Sequence, residues 1–179
     1  MNSSEDSILV NKCLKGDVQA FETLLDKYQQ PIFNVVFRMC HHTEDARDLT
    51  QNIFVKVYEK LAYFNTELKF FSWLYRIAIN ETLNFLNQKK PVEELPITIE
   101  SEEIHPDEIY EQLELSKNIQ NALLEIEAKY RALIVLKHFQ NCSYNQIAQI
   151  MDLPEKTVKS RLFIARQQLG KVLRQKGIY

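Results

Sequence analysis

The sequence predicts an all-α protein of two small helical domains joined by an acidic flexible linker, the second domain being a helix-turn-helix. Three observations carry this. The chain has 3 glycines and 5 prolines in 179 residues, too few turn residues for a sandwich or barrel. Its apolar residues, 45% of the chain, are enough for packed cores and recur at helical spacing. Its charge is segregated behind a net of −2. Residues 1–91 carry 11 basic and 11 acidic side chains, and residues 92–114 carry nine acids and no Lys or Arg. Residues 115–179 carry 11 basic and four acidic side chains, net +7. The divisions are therefore a domain over 1–91, a linker over 92–112 and a domain over 113–179.

The first domain reads as four helices. One runs from about Glu5 to Lys15 and stops at Gly16, with Asp17 as N-cap of the next. That second helix carries Ala20, Phe21, Leu24, Leu25 and Tyr28, and Pro31 should kink or interrupt it before Ile32–Met39. Thr43 is the cap candidate for the third helix, with Glu44 and Asp45 in its first turn. Leu49, Ile53, Val57 and Leu61 form its stripe, which Phe54 and Tyr58 widen. After a polar break at 65–69, a fourth helix runs from about Phe70 to Asn87. Of its aromatics, Phe71, Trp73 and Tyr75 read mainly as core, while Phe70 at the loop edge suits core or surface equally.

The linker holds Pro96 and Pro106 and alternates acids with isolated apolar residues, so it cannot bury enough surface to fold alone. At about 3.3 Å per extended residue it allows the two domains to sit far apart on a partner.

The second domain reads as helices over Leu113–Ile126, Ala128–Phe139, Ser143–Met151 and about Glu155–Gln175. Ser143 with Gln146 makes a capping box. Asp152-Leu153-Pro154 ends the third helix, because proline restricts the residue before it. The last helix should bury Val158, Leu162, Ala165, Leu169 and Val172. That leaves a basic face near its start: Lys156, Thr157, Lys159, Ser160, Arg161, Phe163 and Arg166. A short capped helix, a tight turn and a basic helix is the helix-turn-helix pattern, whose second helix enters the major groove. The cations neutralise phosphates, arginine reads guanine edges, and Phe163 suits a thymine methyl.

Other classes find little support. No run of about 18 apolar residues spans a membrane, so no direct membrane insertion is expected. The start of the chain lacks a signal peptide's pattern, and a cytoplasmic setting is expected. Cys13, Cys40 and Cys142 are widely spaced with no CxxC, and His41 and His42 beside Cys40 lack a second ligand pair. No nucleophile–base set appears. The expectation is a non-enzyme with no cofactor, no metal and no small-molecule substrate.

On several segments the chain resembles the extracytoplasmic-function type of RNA polymerase sigma factor. Gly16-Asp17 with Ala20-Phe21 and Tyr28 resembles that family's opening helix. Asp45-Ala46-Arg47-Asp48-Leu49-Thr50-Gln51 with Phe54 and Val57 resembles its polymerase-binding helix. Phe71-Ser72-Trp73-Leu74-Tyr75-Arg76-Ile77-Ala78-Ile79-Asn80 resembles the helix that handles the promoter's downstream element. Tyr130-Arg131, Cys142 to Ala148, Thr157 to Leu162 and Ala165-Arg166 resemble its upstream-element domain. The resemblance implies that residues 1–91 act as sigma region 2 and residues 113–179 as sigma region 4. It implies polymerase contact through Asp45, Asp48, Gln51, Asn52 and Phe54. It implies −10 contact through Phe64, Asn65, Thr66, Lys69, Phe70, Arg76 and Asn80, with flipped bases held by a loop. The basic helix then takes the −35 element. The implied partners are core RNA polymerase, promoter DNA and an anti-sigma factor. Asn52, Lys156 and Ile164 depart from the family's usual residues, as does the scarcity of arginine over Thr82–Lys90.

Two other readings compete: a stand-alone helix-turn-helix regulator, and a helical interaction protein without DNA function. A regulator needs a ligand or dimerisation domain at its N-terminus, which is where the polymerase-binding resemblance lies.

Overall fold

The computed structural model describes residues 3–88 and 117–178. The linker over 92–112 and the start of the expected helix at Leu113 lie outside the described residues. The first domain consists of α1 (Ser3–Leu14), α2 (Val18–Cys40), α3 (Thr43–Lys60), a 3-10 turn (Leu61–Tyr63) and α4 (Phe70–Gln88). The second consists of α5 (117–124), α6 (Ala128–Ile134), a π-helical segment (Val135–Phe139), α7 (Tyr144–Met151) and α8 (Glu155–Gln175). Among the described residues there is no strand, and no helix is long and apolar enough to cross a membrane.

Local chemistry sets most ends. Gly16, at φ 90°, closes α1: its N–H donates to Cys13 O and that of Asp17 to Lys12 O, at 2.9 and 3.1 Å. This is the paired C-terminal motif that a left-handed residue permits. The Asp17 carboxylate then accepts from Ala20 N at 3.1 Å and starts α2. Ser143 and Gln146 form the expected capping box at α7. Asp152, at φ 53°, turns the chain into α8.

Three expectations are corrected. Of the kink or interruption expected at Pro31, the interruption does not occur: helix α2 is continuous through it. Proline removes one backbone bond and costs about 3 kcal/mol in a helix interior. A helical stripe of Ala20, Leu24, Tyr28, Ile32, Val35, Val36 and Met39 stays buried on both sides of it. At about 1.5–3 kcal/mol per large apolar side chain, that burial outweighs the proline. The cap of α3 is His42, not Thr43: its Nδ1 accepts from Asp45 N at 3.2 Å. The helix expected over Ala128–Phe139 widens at Val135, where Gln140 N donates five residues back to Val135 O at 3.1 Å.

The stripe of α8 is buried at Val158, Leu162 and Ala165 and only half-buried at Leu169 and Val172. This helix leaves the body of the domain as it proceeds. Leu61 is buried as expected but sits in the 3-10 turn that ends α3.

The two domains pack against each other. Helix α4 lies along α7, and α2 lies against the π-helical segment. One apolar cluster runs through both, from Val10 to Ala165. Across the seam, Tyr75 donates to Gln140 Oε1 at 2.9 Å and Ser72 to Gln149 Oε1 at 2.8 Å. The Arg38 guanidinium stacks on Phe139 at 3.8 Å. Buried Arg131 donates to Leu124 O and Ile126 O in its own domain and to Met39 O in the other.

Candidate nucleic-acid and polymerase interfaces

The capping box and the Asp152 turn present the first half of α8 to solvent. Lys156, Lys159, Ser160, Phe163 and Arg166 are exposed; Thr157 and Arg161 are half-buried at the edge of the stripe. Ser160 Oγ donates to Thr157 O at 3.0 Å, which ties its hydroxyl to the helix. Phe163 is 61% exposed among cations, an apolar group of the kind that meets a thymine methyl. Lys159 pairs with Glu155 at 2.7 Å, and this carboxylate pushes the ammonium pKa up.

The preceding segment adds groups that the sequence reading did not name as DNA contacts. Lys137 Nζ donates to Cys142 O at 3.1 Å and sits 4.9 Å from the Tyr144 ring centroid; Lys159 approaches the same ring at 5.5 Å. His138 accepts from Arg166 Nε at 3.3 Å. Burial lowers the His138 pKa, and Arg166 and Lys137 lower it further. Both effects favour the neutral imidazole, the form that can accept the Arg166 bond. Lys137 was counted only in the +7 block and Tyr144 only within the Cys142 to Ala148 resemblance, and His138 had no signal.

The expected −10 residues divide. Asn65, Thr66 and Lys69 are exposed on the loop before α4, and Asn80 is exposed on the helix. Asn65 shapes that loop, its side chain accepting from Glu67 N at 3.0 Å. Phe64 and Phe70, read as candidates to touch bases, are 8% and 4% exposed. They pack with Trp73, ring centroids 4.9 and 5.8 Å away, and Phe70 also meets Tyr28. Their rings gain more from this aromatic cluster than a surface loop offers. In this arrangement they brace the loop and are not open to stacking. The Arg76 guanidinium is engaged by the second domain, donating to Gln149 O (2.9 Å from Nε) and lying 3.6 Å from the Asp152 carboxylate.

The expected polymerase-binding residues lie on α3. Asp48, Gln51 and Asn52 are exposed; Asp45 is half-buried near the His42 cap, and Phe54 is buried. Gln51 and Phe54 line an apolar groove of about 440 Å³ between α2 and α3, with Phe21, Leu25, Val55 and Tyr58. Phe21 and Tyr58 meet edge to face at 5.0 Å. Val55 and Tyr58 are each 58% exposed. Such unpaired apolar surface is what a helical partner covers. The sequence signal was an α3 stripe wider than one buried face requires.

Comparison with known proteins matches both domains to one family. Residues 24–91 match the family model "Sigma-70 region 2", and residues 116–169 match "Sigma-70, region 4". The chain is 33% identical over 177 residues to the ECF RNA polymerase sigma factor SigW of Bacillus subtilis, covering 92% of this chain and 95% of that one. It is 31% identical to the RNA polymerase sigma-H factor of Pseudomonas aeruginosa, covering 97% and 96%. It is 32% identical to the ECF RNA polymerase sigma-E factor of Escherichia coli K12, covering 92% of each. Two solved folds are similar. CnrH, in complex with the cytosolic domain of CnrY, gives a TM-score of 0.75 at 23% identity over 96% of this chain and 98% of that one. RpoE, in complex with the anti-sigma factor NepR from Bartonella quintana, gives 0.68 at 21% identity over 86% and 96%. With both sigma-70 regions matched in order and such relatives aligned along nearly its whole length, this chain belongs to the ECF sigma factors, the promoter-recognising subunits of RNA polymerase.

Proposed function

We propose that residues 1–91 dock on core RNA polymerase and take the −10 element as opened strand, and that residues 113–179 hold the −35 element as duplex. In this reading the acidic segment over 92–112 connects the two. The observation that carries the division is the presence of two exposed faces of opposite chemistry. The α2–α3 groove is apolar, and the α8 face is basic. An apolar groove suits a protein helix, and a basic helix after a tight turn suits a major groove.

In the first domain, Asp48, Gln51 and Asn52 rim the partner surface, with Asp45 and Phe54 shaping it from beneath. Asn65, Thr66, Lys69 and Asn80 offer amide, hydroxyl and ammonium groups to flipped bases and phosphates, joined by Arg76 once it is free. In the second domain, Lys156, Lys159, Arg161 and Arg166 meet phosphates and guanine edges, while Thr157, Ser160 and Phe163 complete the reading face. Strand opening draws on binding energy, so no residue is assigned a catalytic role. The solved relative RpoE is complexed with an anti-sigma factor, and the same kind of partner is proposed here, covering the same faces. The setting is the cytoplasm, where polymerase works.

Co-elution with purified core polymerase tests the first domain. The wild-type chain should co-elute, and Asp48→Ala/Gln51→Ala should weaken binding about tenfold or more, as removal of central interface groups does. Equal binding by the variant would remove α3 from the interface.

A further inference from the structure

We infer that the Tyr63 ring is a stacking platform for an unpaired base of the opened −10 strand, a role that the buried rings of Phe64 and Phe70 do not fill. The inference rests on the assignment of the −10 element to the first domain and adds a residue to it.

An opened strand needs aromatic faces. Each base taken out of the duplex, and each neighbour it leaves behind, loses a stacking partner, and a side-chain ring replaces that partner with little regard to sequence. Phe64 and Phe70 flank the loop before α4, but both are buried against Trp73. Tyr63 is the contrast. It closes the 3-10 turn one residue before Phe64 and is 89% exposed, the most exposed aromatic ring among the described residues.

The local backbone holds the ring in that position. Phe64 N donates to Leu61 O at 3.0 Å and closes the turn. Leu61 and Phe64 are both turned into the core, so Tyr63 projects outward between them. The loop that follows is also fixed: Leu68 N donates to Asn65 O at 3.0 Å, and Glu67 N donates to the Asn65 side chain at 3.0 Å. A ring carried on a pinned turn loses little further freedom when a base meets it.

Charge contributes little at this segment. From residue 59 to 70 the charged side chains are Glu59, Lys60, Glu67 and Lys69, which cancel. Counterion release, the main source of non-specific affinity for nucleic acid, is therefore small here. What the segment presents is the exposed amide of Asn65, the hydroxyl of Thr66 and one ring. The occupant is a base and not polymerase, because Tyr63 lies outside the α2–α3 groove, whose rings are Phe21, Phe54 and Tyr58. It directly precedes the loop assigned to flipped bases. Duplex DNA hides its base faces, so this ring engages opened DNA alone.

The test uses holoenzyme, the full chain reconstituted with core polymerase, on promoter fragments selected by that holoenzyme. Open complexes are counted by permanganate oxidation of unpaired thymines. Removing one stacking contact should lower the open-to-closed ratio of Tyr63→Ala about tenfold, while Tyr63→Phe and Tyr63→Trp retain it. 2-Aminopurine, placed singly across the −10 element, should brighten at one position in Tyr63→Ala, per open complex, because stacking on a ring quenches it. The salt slope of binding should stay as in the wild type. An open-to-closed ratio in Tyr63→Ala equal to that of the wild type overturns the inference. An equal loss in Tyr63→Phe and Tyr63→Ala overturns stacking, since phenylalanine keeps the ring face and lacks only the hydroxyl. Loss of core co-elution in Tyr63→Ala overturns the base as occupant and gives the ring to polymerase. Absence of opening by a wild-type chain that does bind core overturns the −10 reading itself, and the role of Tyr63 falls with it.

Discussion

The two domains build their cores from different side chains. The first buries Tyr28, Phe54, Phe64, Phe70, Phe71 and Tyr75. The second, among its described residues, buries no aromatic and relies on Leu, Ile, Val and Ala. Their surfaces differ in the opposite sense: the first block is net zero and the second is +7. The two faces proposed for DNA and for protein leave different traces in the sequence. The proposed DNA face is written in charge. The proposed protein face is written in surplus apolar surface, here Phe21, Val55 and Tyr58 around a groove, and it vanishes in any count of charges.

The comparison breaks most severely at Arg131, the buried cation that the aliphatic domain uses where the first domain uses aromatic rings. Arg131→Met leaves Leu124 O, Ile126 O and Met39 O without this donor. The expected loss is about 3 kcal/mol in urea unfolding, since orphaned buried acceptors and charge-assisted bonds carry such costs. A loss below about 1 kcal/mol would mean that water or the backbone replaces it.

A smaller effect sharpens the division of surfaces. Lys159→Ala and Arg161→Ala should each weaken duplex binding and reduce the salt slope by about 1. Asp48→Ala and Gln51→Ala should leave that slope unchanged. A common response of all four variants would erase the distinction between the faces.

Smaller still is the cap of α7, which aims the proposed DNA face. Ser143→Ala removes the acceptor for Gln146 N and should cost about 1 kcal/mol, read by thermal unfolding. The smallest effect concerns Cys142, whose thiol is pushed up to about 11 by burial. It should be the last of the three cysteines to react with a thiol reagent at pH 8. Because its pKa rises on folding from an ordinary 9.0, its contribution to stability is full below pH 9.0 and falls between there and about 11. Early labelling of Cys142 would show that the second domain opens readily.

Much of the fold was legible because local groups set it. The Gly16 stop, the Asp17 cap, the Ser143–Gln146 box and the Glu155–Gln175 helix depend on residues a few positions apart. What escaped depends on distant partners. Pro31 is carried by a stripe whose counterparts lie on other helices, and the widening at Val135 lies at the seam with the first domain. The exposure of the α8 cations Lys156, Lys159 and Arg166 was legible from spacing and charge. The burial of Phe64 and Phe70 was not, because an aromatic beside a loop reads alike whether it faces bases or Trp73. Arg76 was picked out from a resemblance, but its bond to Gln149 joins residues 73 positions apart, which no local pattern signals.

The central claim is that one chain joins polymerase to promoter through two separate faces. Runoff transcription tests it most directly, with purified core polymerase and genomic fragments selected by the reconstituted holoenzyme. The account predicts transcripts from a discrete set of start sites, lost in Lys159→Ala/Arg161→Ala and in Asp48→Ala/Gln51→Ala for separate reasons: failed duplex binding in one, failed core binding in the other. No transcript from any fragment, together with no association with core, would contradict it.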